Sequence, residues 1–201
     1  VYIPNDGQAD TVGVTQVLAK AAKQHGATII EKCSVNKILT KNNKIEGVET
    51  DKGKIECEYI VLASGMWSRQ IAADVNVSVP LYPVEHFYIL TEAVDNLDKA
   101  LPVLRDYNHC LYIKEDAGKF LVGIFEPNAK PAFTNTNKVP TDFSFSELPE
   151  DFDHFEPYLM HAIKRIPDLE TVGIRKFFNG PESFTPDTNY CLLYTSDAAD
   201  E

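Results

Sequence analysis

The chain has 201 residues, a formal net charge of −11 and 44% hydrophobic against 24% charged residues. That composition belongs to an ordinary globular protein and excludes wholesale disorder. No run of about 18 apolar residues is present, so no membrane span is expected. The acidic balance, with no Lys/Arg cluster, argues against nucleic acid or an anionic membrane as partner. The four cysteines (Cys33, Cys57, Cys110, Cys191) are widely spaced and read as free thiols of a reducing compartment, with neither a disulfide framework nor a zinc site.

In chain order, Asp10 reads as an N-cap, followed by Val14, Val17, Leu18, Ala21 and Ala22 at helical spacing and a stop at Gly26. A short β-rich run, Ala27 to Glu31, comes next. Two strands around Val35 to Leu39 and Ile45 to Glu49 are joined by a polar turn at Lys41 to Lys44, and Asp51-Lys52-Gly53 makes another turn. The run Tyr59 to Ala63 is wholly apolar, which predicts a strand entering a buried sheet centre and ending at Ser64-Gly65. A helix over Ser68 to Asp74 follows.

The texture changes near Val79. A long strand is predicted over Val84 to Thr91 and a second over Leu101 to Arg105. Leu111 to Ile113 and Phe120 to Phe125 flank Asp116-Ala117-Gly118-Lys119 as a hairpin. Asn128 to Glu147 is loop-like. A helix begins near Glu150, with Phe152, Phe155, Leu159, Ala162, Ile163 and Ile166 on one face, and stops near Pro167. A last strand, Thr171 to Phe178, runs into Asn179-Gly180-Pro181. The fold class is therefore α/β followed by α+β, with the second part mainly antiparallel sheet and one helix.

The ends of the chain stand apart. Val1-Tyr2-Ile3 is neither a signal peptide nor an obvious natural start, and Cys191 to Glu201 breaks the preceding patterns. That tail reads as a translated sequencing adapter and is set aside from Leu192 onward; the alternative is a short acidic terminal tail. The chain is thus expected to be a piece of a longer protein.

Candidate chemistry is sparse at the level of single residues. Ser64-Gly65, at a strand-to-helix turn, permits close approach of a ligand to the backbone, although such turns are structural more often than not. Neither Gly-x-Gly-x-x-Gly nor a Gly-x-x-x-x-Gly-Lys loop occurs. His25 reads as a solvated helix-end cation, and no spacing joins His109, His154 and His161 as metal ligands. His86, mid-strand between Val84 and Tyr88, is either a satisfied core histidine or a site residue. Tyr112 carries the same ambiguity, as a packed aromatic or a ligand-facing hydroxyl.

Five strings, in order, resemble the FAD-dependent amine oxidoreductases of the D-amino-acid oxidase superfamily. They are Asp6-Gly7-Gln8-Ala9-Asp10, Ala63-Ser64-Gly65-Met66-Trp67-Ser68, Pro83 to Tyr88, Leu101 to Asp106 and Asn179 to Asp187. The sarcosine and dimethylglycine dehydrogenase branch is the most similar. The regulatory subunit of pyruvate dehydrogenase phosphatase is similar too, through Phe125 to Asn128 and Asp153 to Pro157. The resemblance implies a partial FAD-binding, Rossmann-like domain over 1–78, whose first phosphate loop lies outside the chain. A substrate domain over 79–178 and a return towards the FAD domain over 179–190 would follow.

By the same resemblance, Val35, Ala63, Ser64, Gly65, Trp67, Gly180, Thr185, Pro186 and Asp187 would contact FAD, while His86 and Tyr112 would stand beside the flavin. The implied reaction is oxidative demethylation of a small N-methylated amino acid by hydride transfer to the flavin. Tetrahydrofolate would receive the one-carbon unit through a further domain. The electron acceptor is not specified, and the isolated fragment would hold FAD poorly. A eukaryotic source would imply the mitochondrial matrix, a bacterial one the cytosol. The non-catalytic alternative is a regulatory subunit that keeps the flavoprotein fold.

Overall fold

A computed structural model describes residues 1–187; the predicted tail, residues 191–201, lies outside them. The chain forms two compact units, one comprising Val1–Ile60 with Leu101–Val103, the other Val61–Ala100 with the chain from Leu104 onward.

The first unit begins with helix α1, Thr11–Gln24, capped as predicted. The Asp10 carboxylate accepts a hydrogen bond from the Gly13 amide, and His25 forms the C-cap. A three-stranded antiparallel meander follows: β1, Val35–Lys41; β2, Lys44–Thr50; β3, Gly53–Glu56. The β1–β2 turn places Asn42 and Asn43 at positive φ, as a two-residue hairpin turn requires.

Two sequence expectations fail in the region before the second sheet. Neither Ala27 to Glu31 nor Tyr59 to Ala63 forms a strand among the described residues, and Tyr59 and Val61 are 86% and 89% exposed. Likewise α1 buries no residue, leaving Val14, Val17 and Leu18 exposed. Local pattern specifies an apolar face or a strand-prone run, but a strand exists only with a hydrogen-bonded neighbour. The described residues supply none here.

The second unit opens with a 3-10 turn, Gly65–Trp67, leading into helix α2, Ser68–Ala73. Its sheet comprises β4, Tyr82–Thr91; β5, Leu104–Asp106; β6, Leu111–Glu115; β7, Phe120–Ile124; and β8, Ile174–Phe184. The order is β5-β6-β7-β4-β8, and every pairing is antiparallel. The β6–β7 hairpin turns at Ala117 and Gly118, both at positive φ, and Asp116 and Lys119 exchange backbone hydrogen bonds. Strand β8 does not stop at Phe178 but continues through Asn179-Gly180-Pro181 to Phe184. It lies on the sheet edge, where proline's missing N–H removes no ladder bond.

One face of this sheet carries the core. Helix α3, Phe152–Arg165, is capped by Asp151 and lies over that face. Phe155 and Ala162 are wholly buried with Phe87, Ile89, Leu111, Ile113, Val122, Ile124 and Phe177, while Leu159, Ile163 and Ile166 pack around them. At the end of β5, the Asp106 carboxylate accepts from Arg165 Nη2 at 2.7 Å and lies 3.0 Å from His109 Nδ1. It thereby ties the last turn of α3 to the sheet.

Arg165, and then His109, hold the Asp106 carboxyl well below the usual carboxylate range. The unfolded chain takes up this proton near pH 4, whereas the folded chain resists it. The cluster's contribution to stability is therefore full above that pH and is lost as the pH falls below it. Between pH 5 and pH 3 the urea midpoint of the native protein should fall more steeply than that of Asp106→Asn. Parallel slopes would contradict the assignment.

Candidate active site

The face of the sheet opposite the core is built by strand alternation. On β4, Phe87 and Ile89 point into the core, which turns His86 and Tyr88 to the other side. On β6, buried Leu111 and Ile113 likewise turn Tyr112 outward. Register then aligns Arg105, Tyr112, Gly123, Tyr88 and Phe178 in one row across five strands, with His86 opposite Gly180 in the next.

Tyr112 and His86 meet on this face. Tyr112 Oη lies 3.0 Å from His86 Nε2, the two rings being nearly parallel at 8°. Phe125 covers the imidazole with ring centroids 4.5 Å apart. The other ring nitrogen, Nδ1, lies 3.5 Å from Glu182 Oε2, two residues along β8 from Gly180. Arg105 arches over the aromatic row, its guanidinium carbon 5.0 Å from the Phe125 centroid and 5.8 Å from that of Tyr112. Tyr88 stacks on Phe178 at 4.4 Å and 11°. Above Gly180 the surface is open, since a Cβ there would meet no atom within 4 Å.

Burial sets the protonation states. It lowers the His86 pKa to about 4, so the imidazole is neutral at pH 7. It raises the Tyr112 phenol, with Tyr88 and Glu182 adding to the rise and Arg105 opposing it, so the phenol keeps its proton. Burial also raises the Glu182 carboxyl.

The other residues singled out in the sequence are distributed as follows. Gly65 opens the 3-10 turn at φ 55° with no atom near its missing Cβ, and this turn lies beside β8. The Ser64 hydroxyl is 3.0 Å from that of Ser68, and Trp67 Nε1 donates to the Pro140 carbonyl. Ala63 precedes them outside any strand. Just beyond β8 the Thr185 hydroxyl donates to the Asp187 carboxylate at 2.7 Å, with Pro186 between them. Val35 opens β1 in the first unit and is exposed.

Of the other histidines, His154 Nε2 is 2.9 Å from the buried Glu126, and the His109 and His161 rings meet at a tilt with centroids 4.2 Å apart. Among the described residues no group of three His, Cys, Asp or Glu is placed to hold a metal ion.

Sequence reasoning missed Arg105, Gly123, Phe125 and Glu182 as members of this face. For Gly123 a signal existed, because glycine inside an apolar strand marks a close approach. Glu182 was hidden by ending the last strand at Phe178; once β8 runs on, Gly180 and Glu182 share a face by period two.

Comparison with known proteins agrees with this architecture. The family model for FAD dependent oxidoreductases (DAO) matches residues 1–194. The 4-methylaminobutanoate oxidase (formaldehyde-forming) of Paenarthrobacter nicotinovorans is 37% identical over 98% of this chain and 24% of its own length. The mitochondrial pyruvate dehydrogenase phosphatase regulatory subunit of Mus musculus is 40% identical over 96% of this chain and 22% of its length. Human mitochondrial sarcosine dehydrogenase is 34% identical over 93% and 20%. The chain thus spans between a fifth and a quarter of the curated relatives it matches. Among solved structures, L-proline dehydrogenase from P. horikoshii superposes with a TM-score of 0.75 at 25% identity, covering 92% of this chain and 47% of that one. The chain belongs to the DAO family of FAD dependent oxidoreductases.

Proposed function

We propose that the chain is part of an enzyme that oxidatively demethylates a small N-methylated amino acid, and that His86 and Tyr112 are its catalytic residues. The observation that carries this reading is the 3.0 Å contact between the His86 imidazole and the Tyr112 phenol on an open face beside Gly180. Family membership and the names of the relatives acting on sarcosine and 4-methylaminobutanoate support the substrate class.

The face fits a planar cofactor. Gly180 presents bare backbone next to His86, and Gly65, on the turn beside β8, presents another uncrowded backbone position. In this reading Ala63, Ser64, Gly65, Trp67, Gly180, Thr185, Pro186 and Asp187 border the FAD, and Val35 meets its adenine end. When bound, FAD supplies the acceptor for the two electrons of the substrate C–H bond.

The protein's part is to bind the substrate and manage its proton. An amine must be deprotonated before its carbon can give up a hydride. The Glu182 carboxylate beside Nδ1 favours the tautomer with its proton on that nitrogen, leaving Nε2 to accept from the Tyr112 hydroxyl. The phenol oxygen then has lone pairs free to accept an ammonium proton while its own passes to Nε2. Glu182, facing Nδ1, supplies the negative charge that offsets the burial cost of the resulting imidazolium. Arg105, the guanidinium over the same row, is the counter-charge for the substrate carboxylate.

Residues 1–78 are, in the same reading, part of a FAD-binding domain completed by sequence outside this chain. The exposed apolar side of α1 and the unpaired runs at Ala27 to Glu31 and Tyr59 to Ala63 support this. The 40% identity to the phosphatase regulatory subunit favours a second reading, a non-catalytic flavoprotein fold that binds a partner.

One assay separates them. The full-length protein with FAD bound should release formaldehyde from at least one of sarcosine, dimethylglycine and 4-methylaminobutanoate. Release from none of the three would favour the regulatory reading.

A further inference from the structure

Gly123 lies mid-strand on β7, in register with Tyr112 on one side and Tyr88 on the other. It is not at positive φ, so backbone conformation does not call for glycine there. Space does. A Cβ built at Gly123 would fall among Cε1, Cζ and Oη of the Tyr112 ring, so the volume a side chain would fill is already taken by the end of that ring.

His86 and Tyr112 belong to strands that are not neighbours, since β7 runs between β4 and β6. Two strand spacings separate them, roughly 10 Å. The two side chains bridge that distance only if the phenol lies across the intervening strand. We propose that Gly123 is a positioning residue, whose missing side chain lets Tyr112 recline over β7 until its hydroxyl reaches His86.

The three atoms nearest to that Cβ all belong to the far end of one side chain. Gly123→Ala is therefore absorbed by swinging the ring aside; the fold survives and the Tyr112–His86 contact is lost. The significance for turnover rests on the catalytic reading of this pair, but the geometric claim does not, and its test needs no substrate.

The test is an NMR titration of His86 in the full 201-residue chain. The groups around it are Tyr112 from β6, Glu182 from β8, Tyr88 on its own strand and Phe125, with Arg105 facing Tyr112. In the native chain the imidazole stays neutral down to about pH 4, because it is buried. In Gly123→Ala the displaced ring admits water, and the midpoint rises by about one unit or more towards the exposed value. In a Tyr112→Ala background, adding Gly123→Ala causes no further shift. A midpoint that Gly123→Ala leaves unmoved, or an equal shift with and without Tyr112, overturns the proposal. Should Gly123→Ala fail to fold, the Gly123→Ala/Tyr112→Ala double variant decides: recovery of folding supports the proposal, and continued failure overturns it.

Discussion

Replacing His86 by alanine in the full-length protein should lower turnover by about 10²–10³-fold while leaving its FAD content near the native level. The asymmetry follows from where the side chain sits. His86 Nε2 engages the Tyr112 hydroxyl and Nδ1 faces Glu182, so in the proposed reading its polar atoms are committed to a proton path. The bare surface beside it belongs to Gly180, and the alanine variant leaves that backbone intact. Burial keeps the imidazole unprotonated down to about pH 4, so at pH 7 its Nε2 is free to accept from the Tyr112 hydroxyl. Equal losses of turnover and flavin would instead make His86 a packing residue. Flavin absorbance per mole of protein, measured beside steady-state rates, separates the two outcomes.

The largest effect on stability is expected at Phe155. Its ring is wholly buried beneath α3 and meets Phe177 edge-on, with centroids 5.4 Å apart. Truncation to alanine removes that apolar area from the core and leaves a cavity, which together cost about 3–5 kcal/mol. For a chain of this size that corresponds to a fall in Tm of roughly 10 °C. Helix α3 lies over the core face of the sheet, so loosening it also loosens the strands that carry His86 and Tyr112. By comparison Phe152, which is 43% exposed on the same helix, should tolerate alanine with a shift of only a few degrees. Thermal unfolding of both variants followed by near-UV circular dichroism checks the contrast; similar shifts would mean that α3 is not anchored through Phe155.

How much was legible in the sequence depended on how local the determining physics is. Helix α1 was readable from its N-cap aspartate and apolar repeat, and α3 from its 3.6-residue apolar repeat, because each signal is contained within one segment. The Ala117-Gly118 hairpin was readable for the same reason. Tyr59 to Ala63 misled because an apolar run describes the surroundings a strand wants, and among the described residues no strand pairs with it. Strand β8 was cut short because Asn179-Gly180-Pro181 has turn chemistry; only its place on the sheet edge makes a mid-strand proline harmless.

The proposed catalytic pair illustrates the limit best. His86 and Tyr112 are 26 residues apart, on strands separated by a third, and no spacing rule links them. From the residues alone, a core histidine and a packed tyrosine were the simpler readings, and only the family resemblance placed them together. Arg105 and Glu182 flank that pair through register alone, which a single sequence does not display.

The most direct test of the account is anaerobic mixing of the full-length, FAD-loaded protein with sarcosine, dimethylglycine or 4-methylaminobutanoate while the flavin absorbance is recorded. The account predicts that at least one of them bleaches the flavin rapidly in the native protein and at least 10²-fold more slowly in His86→Ala at equal FAD content. Bleaching at the same rate in both proteins, or in neither with any of the three amines, would contradict it.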